Sequence, residues 1–421
     1  MEFEKCKLRD IADVMISGVD KKSNNDETPV RLCNFVDVYR NWAITSSLHD
    51  TFMQATAKQI EIDRFLLHKG QVAITKDSET RNDIGIATYI ADDFDDVILG
   101  YHCALITPNN ELVDSKYLNA FLHSNYILRY FELNATGSGM RYTLSNDTIL
   151  NMPILLPSIE QQKAIGRVFS NIDKQIETLN SINRNLEQFA RQLYDYWFVQ
   201  LDFPNSEGKP YKSSGGEMVW NEKLKRCIPK DCLLKKIGEI LDKVPKSIRL
   251  STKEYNAKGD FPIVDQSSDK YIVGYTDEET AVVKKYPAIL FGDHSCVVKY
   301  LNFEFCRGAD GTQILYSANT RIPLEYLYFA VKDIKFKEGY ARHYSILKDN
   351  LIIVPEEKVA AGFEIRVKPI FNSIKDNIFE IISLQRLRDE LLPMLLNGQV
   401  SVYDIKSYDF MPEDIQMAAE P

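Results

Sequence analysis

The feature that most limits how this chain can fold is a long amphipathic segment that occurs twice. Residues 158–198, SIEQQKAIGRVFSNIDKQIETLNSINRNLEQFARQLYDYWF, place apolar side chains at Phe169, Ile172, Ile176, Leu179, Ile182, Leu186, Phe189 and Leu193. Spacings of three and four put them on one helical face and make a coiled-coil seam of about four heptads. The segment opens with a capping box, Ser158 with Gln161, just after Pro157. A shift of 202 positions leads to Phe371, Ile374, Ile378, Ile381, Leu384, Arg388, Leu391 and Leu395, all apolar but Arg388. The same shift carries Tyr142 to Tyr344, Asp147 to Asp349 and Pro153 to Pro355; Pro157 matches Pro355 instead if the repeats slip by one helical turn. The alternative is two unrelated amphipathic helices, each packed on its own domain.

Ahead of each helix the period becomes that of strands. VRLCNFVDVY, QVAITK, GIATYIA and DVILGYHCALIT precede the first; FPIVDQ, YIVGYT, AVVKKYPAILFG, HSCVVKYLNFEF and TQILYS precede the second. Shorter helices are expected at 114–131 and 323–334. The order is globule (1–157), helix (158–198), linker (199–230), globule (231–355), helix (356–400) and C-terminal tail (401–421). A helix of 40 residues is about 60 Å long. If the seams pair, the fold is α+β: two similar α/β globules joined by two long antiparallel coiled-coil helices, with a pseudo-two-fold internal repeat.

A chain of 421 residues suits two to four domains. With 51 basic against 60 acidic residues, it is a poor candidate for loose, charge-driven nucleic-acid binding. No run of eighteen apolar residues spans a membrane, and the opening MEFEKCKLRD is no secretory signal. Seven scattered cysteines without a CxxC pair point to a reduced, cytoplasmic protein; the six histidines form no metal-ligand spacing. A bound metal or cofactor is not expected.

Catalytic motifs are missing. There is no Asn/Asp-Pro-Pro-aromatic tetrad, as an adenine methyltransferase requires, and no GxxxxGK[ST] phosphate loop. ATGSGM (135–140) follows a helical stretch and reads as a loop. Asp293-His294-Ser295 are adjacent, so they point apart and cannot form a triad alone. If the chain reads nucleic acid, polar loops between strands are the natural place for base and phosphate contacts. In globule one the candidates are Lys76, Ser78, Thr80 and Arg81 of TKDSETRND, with Ser138, Arg141 and Tyr142 of TGSGMRYT. In globule two they are Gln266, Ser267, Ser268 and Lys270 of DQSSDKY, the turn Asp310–Gln313 with Thr312, and Arg342, His343 and Tyr344 of GYARHYS. The segments GSGMRYT and GYARHYS lie at matching places in the two repeats.

The helix entry MPILLPSIEQQKAIGRVFSNIDKQI, the exit LYDYWF, the stretch DFPNSEGKPYKSSGGEMVW and the closing LLPMLLNGQV resemble the specificity subunits of type I restriction-modification systems. The second repeat departs from that pattern, with PEEKVAAGFEIRV where another EQQ is usual. The resemblance implies two target-recognition domains, each reading half of a bipartite site in double-stranded DNA. It implies helices that act as spacer and dock two methyltransferase subunits. Those partners bind S-adenosylmethionine and methylate adenine N6, and ATP-dependent restriction subunits can join the assembly. The specificity subunit itself does no chemistry. The rival reading is a non-enzymatic two-headed coiled-coil scaffold for another ligand.

Overall fold

The computed structural model describes residues 3–138, 141–268, 270–309, 311–336, 342–396 and 399. Contacts divide the chain into two compact units: Met1–Thr178 with the chain from Ile381 on, and Leu179–Glu380. The expected tail, 401–421, lies outside the described residues.

Globule one runs through β1 (Glu4–Lys7), β2 (Ala12–Ile16), β3 (Thr28–Cys33), α1 (Phe35–Arg40), β4 (Ala43–Ile44), β5 (Met53–Ala57), α2 (Gln59–Phe65), β6 (Val72–Thr75), β7 (Asp77–Ser78) and β8 (Ala87–Ile90). It continues through β9 (Val97–Leu99), β10 (Cys103–Pro108), α3 (Ser115–Leu122), α4 (Asn125–Asn134), β11 (Thr136–Ser138), β12 (Arg141–Thr143), α5 (Asn146–Leu150) and β13 (Pro153–Leu156). The largest sheet has the order β2-β10-β6-β8-β4, and a second sheet the order β5-β3-β9. All four residues of β6 are buried, as expected of a strand covered on both faces. The long helix α6 (Ile159–Tyr194) follows and ends in a π-helical turn, Asp195–Val199.

The stretch 199–230, read from sequence as a plain linker, carries a hairpin of β14 (Met218–Asn221) and β15 (Arg226–Pro229). Globule two contains β16 (Leu233–Lys236), α7 (Ile237–Ile240), β17 (Arg249–Leu250), β18 (Phe261–Val264), β19 (Gly274–Thr276), β20 (Val282–Val283), β21 (Ala288–Gly292) and β22 (Val298–Leu301). Then come β23 (Phe305–Gly308), β24 (Thr312–Leu315), α8 (Leu324–Lys332), α9 (His343–Asp349), β25 (Leu351–Val354) and the second long helix, α10 (Glu357–Leu396).

The two globules share a strand plan. A buried central strand, β6 or β21, pairs antiparallel on both sides, with β8 and β10 or with β22 and β24. Beside it, β3 or β18 pairs parallel with β9 or β23 and antiparallel with β5 or β19. Each globule is closed by antiparallel pairing of an early strand with the strand that leads into the long helix. Glu4 faces Leu156 in one, and Leu233 faces Val354 in the other.

These closures fix the register of the repeat. Pro157 and Pro355 each follow the closing strand and precede the helix, so the entries match one turn away from the 202-residue shift. The shift tracks the heptad pattern, which repeats itself every turn or two, and not the strands.

At the first entry the sequence motif has a physical explanation. The Ser158 backbone N–H donates to Gln161 Oε1 at 3.2 Å, and the Gln161 N–H donates to Ser158 Oγ at 3.4 Å, a reciprocal cap. Buried Gln162 accepts from the Asp114 N–H at 2.9 Å and donates to the Pro157 carbonyl at 2.9 Å. A side chain at Gly166 would come within 2.6 Å of Asp114 Oδ1, so glycine lets the helix lie against the start of α3.

The helices pair antiparallel in both units. In unit one, Ile165 and Phe169 share a core with Leu392, Leu395 and Leu396; the partly buried Leu391 packs against it. In unit two, Ala190, Tyr194, Trp197 and Phe198 share one with Phe363, Val367 and Phe371; Leu193 and Ile374 pack against that core. Phe198 and Trp197 lie 5.0 and 5.9 Å from the Phe363 ring, and Asn377 Nδ2 donates to Asn183 Oδ1 at 2.8 Å. Each full burial of such an apolar side chain contributes roughly 1.5–3 kcal/mol. Ile172, Ile176, Ile381 and Leu384 are buried, while Leu179, Leu186 and Ile378 are half-buried.

Several expectations need correction. Ile182 and Phe189 do not sit in the seam: they are 42% and 59% exposed, and Ala190 is buried beside Phe189 instead. Tyr196 is also exposed, whereas its neighbours Tyr194, Trp197 and Phe198 are buried. Arg388, the polar break in the second seam, has a place of its own. Its guanidinium lies 4.7 Å from the Trp42 ring, Trp42 stacks on His123 at 4.2 Å, and its charge offsets part of the burial that pushes the Asp173 pKa up to about 7. Part of VRLCNFVDVY is not strand, because the cap at Asn34 with Asp37 starts α1. The 114–131 helix breaks at Ser124, whose Oγ caps α4.

Candidate nucleic-acid interface

In globule one the sequence candidates gather around a single carboxylate. The chain leaves β6 through Lys76 into β7, which pairs with β12, and β12 pairs with β11. This three-strand patch brings Lys76, Ser78 and Arg81 beside Arg141 and Tyr142. Asp77 is at its centre. His102 Nδ1 lies 2.5 Å from Asp77 Oδ2, Lys76 Nζ 3.4 Å from Oδ1, and Arg141 Nη2 3.5 Å from Oδ2. Lys76 Nζ also donates to Thr143 Oγ1 at 2.9 Å.

Burial alone would raise the Asp77 pKa. Hydrogen bonds from Thr143, His102 and Lys76, with the charge of Lys76, outweigh it and hold the carboxyl below its usual range. Arg81 stacks its guanidinium 5.1 Å from the Tyr142 ring centre, and Ser78 Oγ accepts from the Thr80 N–H at 3.2 Å. Ser138 ends β11, while Gly139 and Met140 lie outside the described residues. Within TGSGMRYT, Thr136–Ser138 and Arg141–Thr143 are therefore strands and not loop.

Sequence reading missed Asp77 and His102. The local signal was the Gly100-Tyr101-His102 break between β9 and β10, where His102 takes a positive φ of 70°. A non-glycine residue in that conformation is held there by its surroundings.

Globule two is organised around Asp293, which follows the central strand just as Asp77 does. Asp293 Oδ1 accepts the Tyr344 backbone N–H at 2.8 Å, and the Asp293 carbonyl accepts the His343 N–H and lies 3.1 Å from His343 Nδ1. The residues Arg342, His343 and Tyr344 thus begin α9, and Arg342 is its exposed N-cap. Gly339, Tyr340 and Ala341 lie outside the described residues.

His343 is a correction: it is 3% exposed, with its ring 5.0 Å from Phe336, so it cannot touch a base edge. Thr312 is another. It is fully buried, and its Oγ1 accepts Arg307 Nε at 3.0 Å and donates to the Gly308 carbonyl at 3.0 Å. Burial lowers the Arg307 pKa to about 10, with the charge of Arg249 acting in the same direction.

Gln266 is half-buried; its Oε1 accepts the His294 N–H at 3.3 Å, and its carbonyl accepts Ser295 Oγ at 2.9 Å. Ser267 donates its N–H to Asp265 Oδ1 at 2.8 Å. Ser268 and Lys270 are exposed, and Asp310 is outside the described residues. Asp293 bonds to His343 and Tyr344, while His294 and Ser295 both bond to Gln266. Among the described residues no group of His, Cys, Asp and Glu could hold a metal ion, and no helix is long and apolar enough to cross a membrane.

Comparison with known proteins adds an independent line. Residues 1–188 match the family model for the type I restriction modification DNA specificity domain. The chain is 26% identical over 325 residues to the type I restriction enzyme MjaIX specificity subunit of Methanocaldococcus jannaschii, covering 71% of this chain and 72% of that one. It is 30% identical over 126 residues to the HindI specificity subunit of Haemophilus influenzae, covering 30% and 28% of the two chains. A crystal structure of the S subunit of a type I system from M. genitalium has a similar fold, with a TM-score of 0.53 and 17% identity over 94% of this chain and 96% of that one.

Proposed function

The chain belongs to the family of type I restriction-modification specificity subunits, and from that premise we propose how its parts divide the work. It is a DNA sequence-recognition subunit without catalysis of its own, and it acts with DNA and other restriction-modification subunits. Each globule reads one half of a bipartite site in double-stranded DNA, and α6 with α10 serves as spacer and docking surface. Two methyltransferase subunits dock there, carry S-adenosylmethionine and modify adenine N6; ATP-dependent restriction subunits complete the assembly where they exist.

The observation that supports this most is the repeated strand plan. Two globules with the same central strand each place an Asp-anchored, aromatic-basic segment at the end of that strand. The matched DNA specificity domain covers one whole globule and most of α6. A scaffold for some other ligand gains no support from these relatives.

The acidic chain, with 51 basic and 60 acidic residues, fits a reader whose partners supply much of the phosphate neutralisation. The test is methylome sequencing of cells with and without the gene, followed by gel shifts with the methyltransferase present. A split motif with an unspecified gap, lost on deletion, is the expected result. A continuous motif, or none, rejects the reading.

A further inference from the structure

Arg141 is arranged unlike an ordinary surface arginine. Its side chain is 58% exposed, yet Nη2 lies against the His102 ring, 2.7 Å from Nε2 and 2.5 Å from Nδ1, and 3.5 Å from Asp77 Oδ2. Nδ1 also faces Asp77 Oδ2 at 2.5 Å. A carboxylate only accepts, so Nδ1 carries the proton and donates to Asp77, while the Arg141 guanidinium packs on the imidazole within reach of the same carboxylate. Asp77 is nearly buried, its side chain 13% exposed, and its own position is fixed by β7 and by Lys76. His102 is further locked by the tilted ring of Tyr101, 3.8 Å away. The result is a nearly buried anion that holds an imidazole and an outward guanidinium against each other.

From this geometry we propose that Asp77 and His102 are positioning residues that pre-set Arg141 to read a guanine edge in the half-site taken by globule one. The proposal rests on the DNA-recognition reading above and deepens it by naming the base. Two physical reasons favour a base over a phosphate. A carboxylate 3.5 Å from Nη2 offsets part of the arginine charge and so weakens attraction to phosphate. Fixing one corner of the planar fork removes rotamer freedom before binding, which is what a two-acceptor target such as guanine O6 and N7 rewards. Arg81, stacked on Tyr142, and Lys76 remain as the neighbouring cations for the backbone.

The experiment uses the full chain assembled with its methyltransferase partner and duplexes in which each position of the methylome-defined site is replaced in turn. Arg141→Ala is expected to relax discrimination at one or two adjacent G·C pairs of one half by about 10–100-fold. His102→Ala and Asp77→Asn relax the same pairs by roughly 3–10-fold and leave the other half unchanged. His102→Gln restores much of the loss, because its amide can donate to Asp77 and fill the same place beside Arg141. A merely structural role would weaken all positions alike, so uniform loss, or intact discrimination in both His102→Ala and Asp77→Asn, overturns the proposal. If Arg141→Ala leaves a wild-type-like motif, the proposal fails while the DNA-recognition reading stands. If the wild-type complex selects no sequence, both fail.

Discussion

In globule one the aromatic-basic segment is held through side chains; in globule two it is held through backbone. Asp77 grips Arg141 directly and by way of His102, and leaves a strand hairpin around it. Asp293 instead takes the first N–H groups of α9, so Arg342 projects from a capped helix start. The same position after the central strand thus supports two kinds of presentation. A reader built on a side-chain relay can lose its aim and keep its fold. One built on a helix cap loses both together, because the orphaned N–H groups are part of the core's edge.

That contrast can be broken at the two aspartates. The largest effect is expected for Asp293→Ala, which removes the acceptor for the Tyr344 N–H; denaturant unfolding should show a loss of about 1–3 kcal/mol. Asp77→Ala orphans side-chain donors but no backbone N–H, and should cost less, about 1 kcal/mol by the same measurement, with its main consequence in DNA binding. Equal stability losses would erase the distinction.

Next in size, Arg141→Ala and Arg342→Ala should each weaken cognate-site binding in gel shifts, by about 1–3 kcal/mol for a lost base contact. Unchanged affinity in both removes these segments from the interface.

A pH effect should then appear in unit one. Burial pushes the His123 pKa down to about 3, with Arg388 adding to it and the bond to the Ala87 carbonyl opposing it. A lowered pKa means full stability above the unfolded value of about 6.5, lost as pH falls towards 3 at up to about 1.4 kcal/mol per unit. His123→Gln should flatten the thermal-unfolding profile between pH 6.5 and 4.

The smallest effects belong to the seam positions that proved exposed. Ile182→Ala and Phe189→Ser should change stability by no more than about 0.5 kcal/mol, against about 3–5 kcal/mol for the buried Phe363→Ala.

The long helices were legible because heptad spacing is a local signal, and so were most strands, whose apolar runs match β6, β8 and β21. What escaped has a common cause. The 202-residue shift followed a seam that resembles itself one turn away, so only the closing strands and Pro355 could fix the register. Arg388 interrupts the stripe because Trp42 and Asp173, distant in sequence, await it. Thr312 and His343 looked like loop polar residues, but their partners, Arg307 in β23 and Asp293 in the turn after β21, turn them inward. His102 was overlooked because nothing in its neighbourhood of sequence points to Asp77 or Arg141.

The pairing of β1 with β13 and of β16 with β25 brings the way in and the way out of each globule to adjacent strands, which lie about 5 Å apart. A module closed at its own doorway can be exchanged for another only together with the helix side chains that share its core, such as Ile165 and Phe169 in globule one.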